Sequence, residues 1–290
     1  MQLTSLLVLG AALGAMAVPS GHSHLHRSAH EKREPAFYKA WHSKVGKPAA
    51  ATPTTAAAAA PAATTASAAP AAVSSSSSSA PVPGFCGNAN SNTKRASLAD
   101  IASKGNTGRD GWGSNIKLIA NDAVNKCEYT TIFKNVAQDP YKVICTNKIG
   151  PTGLIDGFWH TAMDFTLNPG ESKTVAFDGD SQGLCTFGAH EVPKTNWGQL
   201  AGTYYEFDFA SARNNLWSGA DCSSLVAASE PGQPIFGCDA CDPDDGTCST
   251  ILPDGSGTNS FIAGTAELDG LGINKPPGKA SFHVKVGYTG

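Results

Sequence analysis

The stretch Ser281-Phe-His-Val-Lys-Val-Gly-Tyr288 alternates apolar and polar side chains. Every second residue from Phe282 to Tyr288 is apolar, and these side chains would share one face of a strand. His283 and Lys285 would share the opposite face. One apolar and one polar face are typical of an antiparallel strand with one side buried. The stretch therefore predicts a sheet that packs against a second layer.

Similar runs of period two recur before this stretch, and many are separated by turns such as Asn168-Pro-Gly170 and Leu252-Pro-Asp-Gly255. The predicted strands are Ile116–Ala120, Tyr129–Lys134, Tyr141–Thr146, Met163–Leu167, Lys173–Asp178 and Tyr204–Phe209. Short helices are predicted only at Ser97–Ser103 and Ser223–Ser229. The pattern predicts a mainly β fold, an antiparallel β-sandwich with long, disulfide-bonded loops.

The number and position of the cysteines indicate a protein of an oxidising compartment. An even number confined to the last two thirds of the chain favours four disulfides in a secreted protein. The eight are Cys86, Cys127, Cys145, Cys185, Cys222, Cys238, Cys241 and Cys248. Eight cysteines permit 105 pairings, so the sequence leaves the connectivity open. The spacing of the last three could also suit zinc, but disulfides are favoured in an oxidising compartment.

The chain before the cysteines has the composition of leader and linker segments. Residues 1–17 contain an apolar run followed by Ala15-Met-Ala17, which predicts a cleaved signal peptide and no membrane anchor. Residues 18–33 end in the dibasic pair Lys32-Arg33 and are predicted to be a propeptide. Residues 34–83, rich in Ala, Pro, Ser and Thr, are predicted to be a disordered stalk. The globular β domain is then 84–290, and the protein is predicted to be extracellular, in association with the cell wall.

Charge narrows the classes of partner. Between Cys86 and Gly290 the chain has 22 acidic and 15 basic side chains, with no basic stripe. Such a domain is a poor nucleic-acid binder, whereas a neutral cell-wall polysaccharide is compatible with it. We predict no cofactor and no metal, because the histidine-rich leader has no folded frame to fix coordination. The membrane is likewise not a predicted partner.

The strand Tyr204-Tyr-Glu-Phe-Asp-Phe209 is the most informative candidate site. Alternation predicts that its odd-numbered aromatic residues face inward and that Tyr204, Glu206 and Asp208 share the opposite face. Glu206 and Asp208 would lie about 7 Å apart along the strand. Two carboxylates and an aromatic ring on one face resemble the floor of a sugar-binding site, and the carboxylates could also serve as a glycosidase pair.

The predicted ligand-binding residues are therefore Tyr204, Glu206, Asp208 and Asp221, of which the three acids are also the catalytic candidates. Loops could bring Asp221 and two further acids, Asp164 and Asp180, beside the strand. The alternative is that this face is a solvated polar surface without a site.

Two local motifs suggest other chemistry. Gly179-Asp-Ser-Gln-Gly183 fits the nucleophile elbow of α/β hydrolases, but no helical pattern follows it, so we place Ser181 in a turn. The clusters Asp178–Gly183 and Asp242–Gly246 contain aspartates at calcium-loop spacing. Both lack the closing bidentate glutamate, and an Asp/Gly-rich turn is the simpler interpretation.

Several motifs, in this order, resemble a known family of secreted fungal allergens, the Asp f 4 family. They are Trp112–Ile116, Asn147–Pro151, Pro169–Lys173, Val175–Asp178, Asp180–Gly183, Glu206–Phe209 and Trp217–Gly219. The resemblance covers about residues 110 to 290. It implies an extracellular protein that host IgE binds.

A more distant resemblance is to the thaumatin-like proteins. It is carried by a strand with Asn135, the turn Leu167–Ser172, the strand Tyr205–Phe209 and the stretch Asp221–Leu225. In those proteins the corresponding segments frame an acidic cleft that can bind β-glucans. The resemblance implies that Glu206 and Asp221 are cleft acids here.

Three functions are compatible with these observations. The first hypothesis is a noncatalytic extracellular or wall-associated protein whose acidic, aromatic face binds a wall glycan and which acts as an allergen. The second is a glycoside hydrolase of the β-1,3-glucanase kind, with Glu206 as the acid and Asp221 or Asp208 as base or nucleophile. The third is a secreted effector that binds a host protein.

Overall fold

The computed structural model describes residues 82–86, 105–268 and 270–290. The predicted signal peptide (1–17), the predicted propeptide (18–33), nearly all of the predicted stalk (34–83) and the predicted helix Ser97–Ser103 lie outside these residues. The remaining predictions about secondary structure fall within the described residues.

The described residues form thirteen strands. They are β1 (Ile116–Ile119), β2 (Tyr129–Asn135), β3 (Tyr141–Asn147), β4 (Met163–Leu167), β5 (Ser172–Phe177), β6 (Ser181–Ala189), β7 (Thr203–Phe209), β8 (Ser218–Ser223), β9 (Cys238–Cys241), β10 (Cys248–Ile251), β11 (Gly257–Thr258), β12 (Ile273–Lys275) and β13 (Ala280–Val286). The first sheet has the order β1-β5-β2-β13-β9-β10-β11, and the second has the order β12-β8-β7-β6-β3-β4. The prediction of a mainly β, two-layered fold is confirmed.

Strand β13 lies in the middle of the first sheet. Its alternation is as predicted, because Phe282, Val284 and Val286 are buried while His283 and Lys285 are exposed. It pairs antiparallel with β9 but parallel with β2. The expectation of an antiparallel strand therefore holds on one side only, and the strand ends before Gly287 rather than at Tyr288.

The core between the sheets is aromatic. Phe177 of the first sheet lies 4.5 Å from Phe207 and 4.8 Å from Phe209 of the second, measured between ring centroids. Phe282 stacks on Phe209 at 5.6 Å. Each fully buried ring contributes about 1.5–3 kcal/mol relative to an exposed one. These contacts fix how the two layers stack, and so they orient the outward face of each sheet.

All eight cysteines are paired, as predicted, and neighbours in sequence pair with each other. Cys222–Cys238 joins β8 of the second sheet to β9 of the first. Cys145–Cys185 links β3 to β6, and Cys241–Cys248 links β9 to β10. Cys86–Cys127 fixes the start of the described domain beside a small apolar cluster with Ile119, Ala123 and Ala176.

The longest strand, β6, was not predicted, and the placement of Ser181 in a turn is wrong. Ser181 begins β6, which runs between β3 and β7. Two glycines interrupt the apolar pattern because other chain segments approach the backbone closely there. A Cβ on Gly183 would lie 2.1 Å from the carbonyl oxygen of Thr146, and one on Gly188 would lie 2.2 Å from that of Glu191.

Helical structure is scarce in the described residues. Helix α1 (Leu225–Ser229) confirms most of the helix predicted at Ser223–Ser229, although Ser223 belongs to β8. Three 3₁₀ helices lie at Asn121–Lys126, Gly157–Trp159 and Ala212–Asn214. None of the helices in the described part of the chain is long and apolar enough to cross a membrane.

Candidate functional site

Strand β7 positions the predicted site residues on the outward face of the second sheet. Tyr205, Phe207 and Phe209 point into the core, as the alternation predicts. The opposite face is nevertheless largely covered, since Tyr204 is 1% exposed and Glu206 is 7% exposed. The alternative of a solvated polar surface is therefore wrong for these two residues.

Tyr204 is buried beneath the loops that lie over the second sheet, so it does not form part of an open surface. Its ring packs with Phe158 and Leu184 in a small apolar cluster. Its hydroxyl donates a hydrogen bond to the carbonyl oxygen of Leu200. The backbone amide of Leu200 in turn donates to the carbonyl oxygen of Phe158. Tyr204 therefore holds the loops that cover the sheet, and its own ring does not lie at the surface.

Glu206 and Asp221 lie directly opposite each other on β7 and β8. Residues in this position have Cβ atoms about 4.5–5.5 Å apart. Asp221 is fully buried, and Leu184 lies opposite Glu206 on its other side. Two ionised carboxylates at this spacing would repel each other, so the pair is an unusual choice for a purely structural position.

Asp208 lies one row further along the same face, opposite Gln182. Burial, together with the charge of nearby Asp180, raises the pKa of Asp208 to about 7, even though a hydrogen bond with Ser211 and the charges of Lys148 and Arg213 lower it. Its Oδ1 atom is shielded from solvent and has no hydrogen-bond partner among the described residues. At neutral pH this carboxyl group exists in both protonation states, so it can donate or accept a proton.

The prediction that further acids could join the strand holds for one of the two. Asp180 is close enough to act on Asp208 electrostatically. Asp164 lies instead on the edge strand β4, where it pairs with Lys142. Asp221 comes from a strand and not from a loop.

The loop after β7 has a strained backbone. Ala210, Asn215 and Leu216 have φ angles of 47°, 50° and 64°, in the left-handed region that non-glycine residues rarely adopt. Each such residue costs of order 1–3 kcal/mol and persists where the surroundings enforce it. Ser211, the hydrogen-bond partner of Asp208, lies in this loop. Backbone strain of this kind is often found at functional sites, and it supports the end of the second sheet near Asp208 as a candidate site.

Three half-buried tryptophans lie near one another beside this face: Trp159, at the end of a 3₁₀ helix, packs against the Tyr204 cluster, and the ring of Trp112 lies 5.8 Å from that of the neighbouring His160. The third is Trp197. Trp112 donates its indole N–H to the carbonyl oxygen of Ile149 at 2.8 Å. Trp159 donates to the carbonyl oxygen of Trp197, and Trp197 donates to Oε1 of Gln199, both at 3.3 Å. These bonds satisfy the polar atom of each ring and fix its orientation, which leaves part of each apolar surface in contact with solvent.

The aspartates of the two clusters considered as calcium sites form ion pairs and hydrogen bonds with other side chains of the protein. Nζ of Lys275 lies 2.6 Å from Asp242 and 2.7 Å from Asp244. Asp178 pairs with Arg109 at 3.3 Å and accepts a hydrogen bond from Asn106 at 2.9 Å. The simpler interpretation, a polar turn, therefore fits both clusters.

The hydrolase elbow does not form. Ser181 begins a strand, and its Oγ accepts a hydrogen bond of 2.9 Å from Nδ2 of the Asn115 side chain. A hydrolase of this kind would also need a histidine beside the serine, but His283 is exposed on the first sheet, whereas Ser181 belongs to the second. The absence of a helix after Ser181 is thus as predicted.

The fold and the site define a disulfide-bonded β-sandwich protein with an acidic row and tryptophan-bearing loops on one outward face. The chain belongs to the Allergen Asp f 4-like domain family, whose model matches residues 114–286. This confirms the family resemblance seen in the sequence.

One curated relative is Allergen Asp f 4 of Aspergillus fumigatus (strain ATCC MYA-4609 / CBS 101355 / FGSC A1100 / Af293), which is 34% identical over 209 residues. The alignment covers 70% of this chain and 64% of that protein. Among solved structures, the protein elicitor MoHrip2 from Magnaporthe oryzae is 14% identical, with a TM-score of 0.34. That match covers 55% of this chain and 99% of MoHrip2.

Proposed function

We propose that this domain binds a neutral cell-wall glycan, without catalysis, on the outward face of the second sheet. The observation that carries the proposal is the set of half-buried indoles, Trp112, Trp159 and Trp197, held in fixed orientation by their own N–H groups. Rigid aromatic surfaces with a few oriented polar groups are what a binding site for an uncharged, amphipathic ligand requires.

The carboxyl groups have a recognition role in this proposal. Sugar hydroxyls both donate and accept hydrogen bonds, and a carboxyl group with a pKa of about 7, such as Asp208, can meet either need. Glu206 and Asp221 form the next row of the same face. Tyr204 contributes indirectly, because it holds the loop segment at Leu200, next to the tryptophan segment, on the sheet.

The setting that we propose is extracellular. Four disulfides persist in oxidising compartments and are rare in the cytosol, which supports secretion through the predicted signal peptide at residues 1–17. Membership in an allergen family supports host IgE as a partner, since a stable, disulfide-bonded surface is what antibodies would meet. Attachment to the wall would follow from glycan binding itself.

A pull-down on insoluble polysaccharide tests the binding proposal. The purified full-length chain is mixed with β-1,3-glucan, chitin or mannan, and the protein that remains in solution is measured. We expect depletion on at least one polymer, and at least a tenfold weaker affinity for Trp159→Ala and Trp197→Ala. The control is Leu118→Ala, which removes an exposed apolar side chain from the edge strand of the first sheet. Full retention in solution on all three polymers would overturn the proposal.

A glycoside hydrolase is the second candidate, and the carboxyl geometry favours it specifically. Glu206 and Asp221 face each other directly, and Asp208 has a pKa of about 7, a value suited to a general acid. Reducing-sugar release from β-1,3-glucan, measured on the same samples, separates the two functions. Release that Glu206→Gln abolishes supports hydrolysis, whereas binding without release supports recognition alone.

A further inference from the structure

The Cys241–Cys248 disulfide differs from the other three in its exposure. Both of its cysteines are partly exposed, whereas each of the other six is at most 8% exposed. The bond lies on the outward face of the first sheet, on strands β9 and β10. It is therefore the disulfide that a reductant in solution can reach.

The surroundings of this disulfide contain further metal-binding groups. Oδ1 of Asp239 lies 3.2 Å from Sγ of Cys241, and the donor atoms of Asp239, Cys241 and Cys248 all lie within 4.8 Å of one another. His283 of β13 is directly opposite Cys241 in the register and is exposed. The register therefore places His283 on the same face as these three residues, next to Cys241, although its ring is not part of the group within 4.8 Å.

The fold does not depend strongly on this bond. It closes a loop with a sequence separation of 7 residues, against 16, 40 and 41 for the others. A short loop constrains the unfolded chain least, so its cross-link contributes least to stability. The hairpin has in addition three paired positions between β9 and β10 besides the two cysteines, and these do not require the disulfide.

We propose that external dithiols reduce Cys241–Cys248 selectively, and that the two freed thiol groups, together with Asp239 and His283, bind one zinc ion. The reductant supplies two electrons and two protons and becomes a disulfide itself, while the protein disulfide becomes two thiols. Binding of zinc then releases the two thiol protons to solvent. The oxidised domain has no such site, because its sulfurs are bonded to each other.

The chemistry of these four groups suits zinc. Two thiolates, one imidazole and one carboxylate are its ordinary tetrahedral ligands, and the two sulfurs need to separate to about 3.8 Å. Nζ of Lys285 lies 2.8 Å from Oδ2 of Asp239, which orients the carboxylate and leaves Oδ1 toward the sulfur.

Selective reduction is tested first. The full-length chain is treated with increasing amounts of dithiothreitol, and free thiols are alkylated and located by mass spectrometry. We expect Cys241 and Cys248 to be modified before any other cysteine, with Cys145 and Cys185 as the buried comparison. Simultaneous or earlier modification of another pair would overturn the proposal.

Zinc binding is tested on the selectively reduced protein by competition with a chromophoric chelator. We expect one more zinc ion per chain after reduction than before it; this difference cancels any binding by the histidine-rich leader. Cys241→Ser/Cys248→Ser should remove the additional ion, and zinc should protect both thiols from alkylation. An unchanged zinc stoichiometry after reduction would refute the site.

The histidine ligand has a matched control. We expect His283→Ala to weaken zinc binding by at least tenfold, of the order seen when metal-site groups are lost, and to leave the order of disulfide reduction unchanged. His190→Ala removes another exposed histidine, far along the chain, and should have no effect on zinc. Equal zinc affinity in the two variants would contradict the role of His283.

Discussion

The hydroxyl oxygen of Tyr205 lies 2.9 Å from Oγ1 of Thr131, and this hydrogen bond joins the two sheets inside the core. Both residues are fully buried. We expect Tyr205→Phe to lower the free energy of unfolding by about 1–3 kcal/mol, because the buried hydroxyl of Thr131 loses this partner. Urea unfolding monitored by fluorescence measures the change.

A second variant separates the hydrogen bond from packing. When Thr131→Val is added to Tyr205→Phe, neither side chain has an unpaired hydroxyl group, so part of the lost free energy should return. A Tyr205→Phe variant as stable as the unchanged protein would contradict a contribution from this bond.

The stability of the domain should depend on pH through Asp208. Burial raises the pKa of Asp208 from 3.8 to about 7 in the folded protein. A carboxyl group shifted in this direction stabilises the fold at low pH, and this contribution is lost as the pH rises from about 4 to 7. We expect Asp208→Asn to reduce that decline in the free energy of unfolding by up to about 4 kcal/mol.

The measurement is a pair of urea titrations at pH 4 and pH 7 for each protein. Asp110→Asn, which removes an exposed carboxyl group, serves as the control and should retain the full decline. If Asp208→Asn shows the same decline as the control, Asp208 does not titrate in this range.

Gly157 should be essential for the conformation of the segment that carries Phe158 and Trp159. A Cβ on Gly157 would lie 1.6 Å from the carbonyl oxygen of Asn147, a backbone atom that cannot move aside alone. We expect Gly157→Ala to lower the free energy of unfolding by at least about 1–3 kcal/mol and to weaken glycan binding, since Phe158 and Trp159 would be displaced. Thermal unfolding and the pull-down on polysaccharide measure the two effects.

Gly179→Ala is the matched control for this substitution. Its added Cβ would make only an ordinary contact, 3.5 Å from the ring of Tyr129. Equal stability of the two alanine variants would show that the loop at Gly157 can move without cost.

The Cys222–Cys238 disulfide between the sheets should contribute more to the free energy of unfolding than the exposed Cys241–Cys248 disulfide. Cys222–Cys238 joins β8 to β9 in the core, and its replacement by two alanines should lower the free energy of unfolding by about 2–5 kcal/mol. Replacement of Cys241 and Cys248 by serines should cost less. Calorimetric midpoints of the two double variants give the order, and a reversed order would contradict this assignment.

The sequence predicts strands well where side chains alternate and poorly where they are small. The predicted strands all exist, and the pattern is clearest in β4 and β13, which have large apolar residues at every second position. Strand β8 has the sequence Ser-Gly-Ala-Asp-Cys-Ser, and all six residues are buried, so no alternation distinguishes its faces. The parallel pairing of β13 with β2 depends on contacts between distant segments, and local patterns do not encode it.

The site was only partly predictable for a related reason. Alternation places Tyr204, Glu206 and Asp208 on one face correctly, but it does not reveal that Phe158 and Leu200 cover part of that face. The surroundings that raise the pKa of Asp208 are contributed from outside its strand, from Asp180 and by burial. A strand pattern describes which side chains share a face, whereas their solvation depends on the loops above them.

The Cys86–Cys127 bridge has a mechanical consequence. If the chain before Cys86 were held and the domain pulled, tension would pass through the sulfur atoms directly to Cys127, at the entrance of β2. The segment between them, which contains β1 and spans a sequence separation of 41, would carry almost no load. Its apolar neighbours Ile119 and Ala176 lie on the first sheet, on the side away from the tryptophan-bearing loops. A domain tethered in this way would resist extension, and the outward face of its second sheet would remain on the side away from the tether.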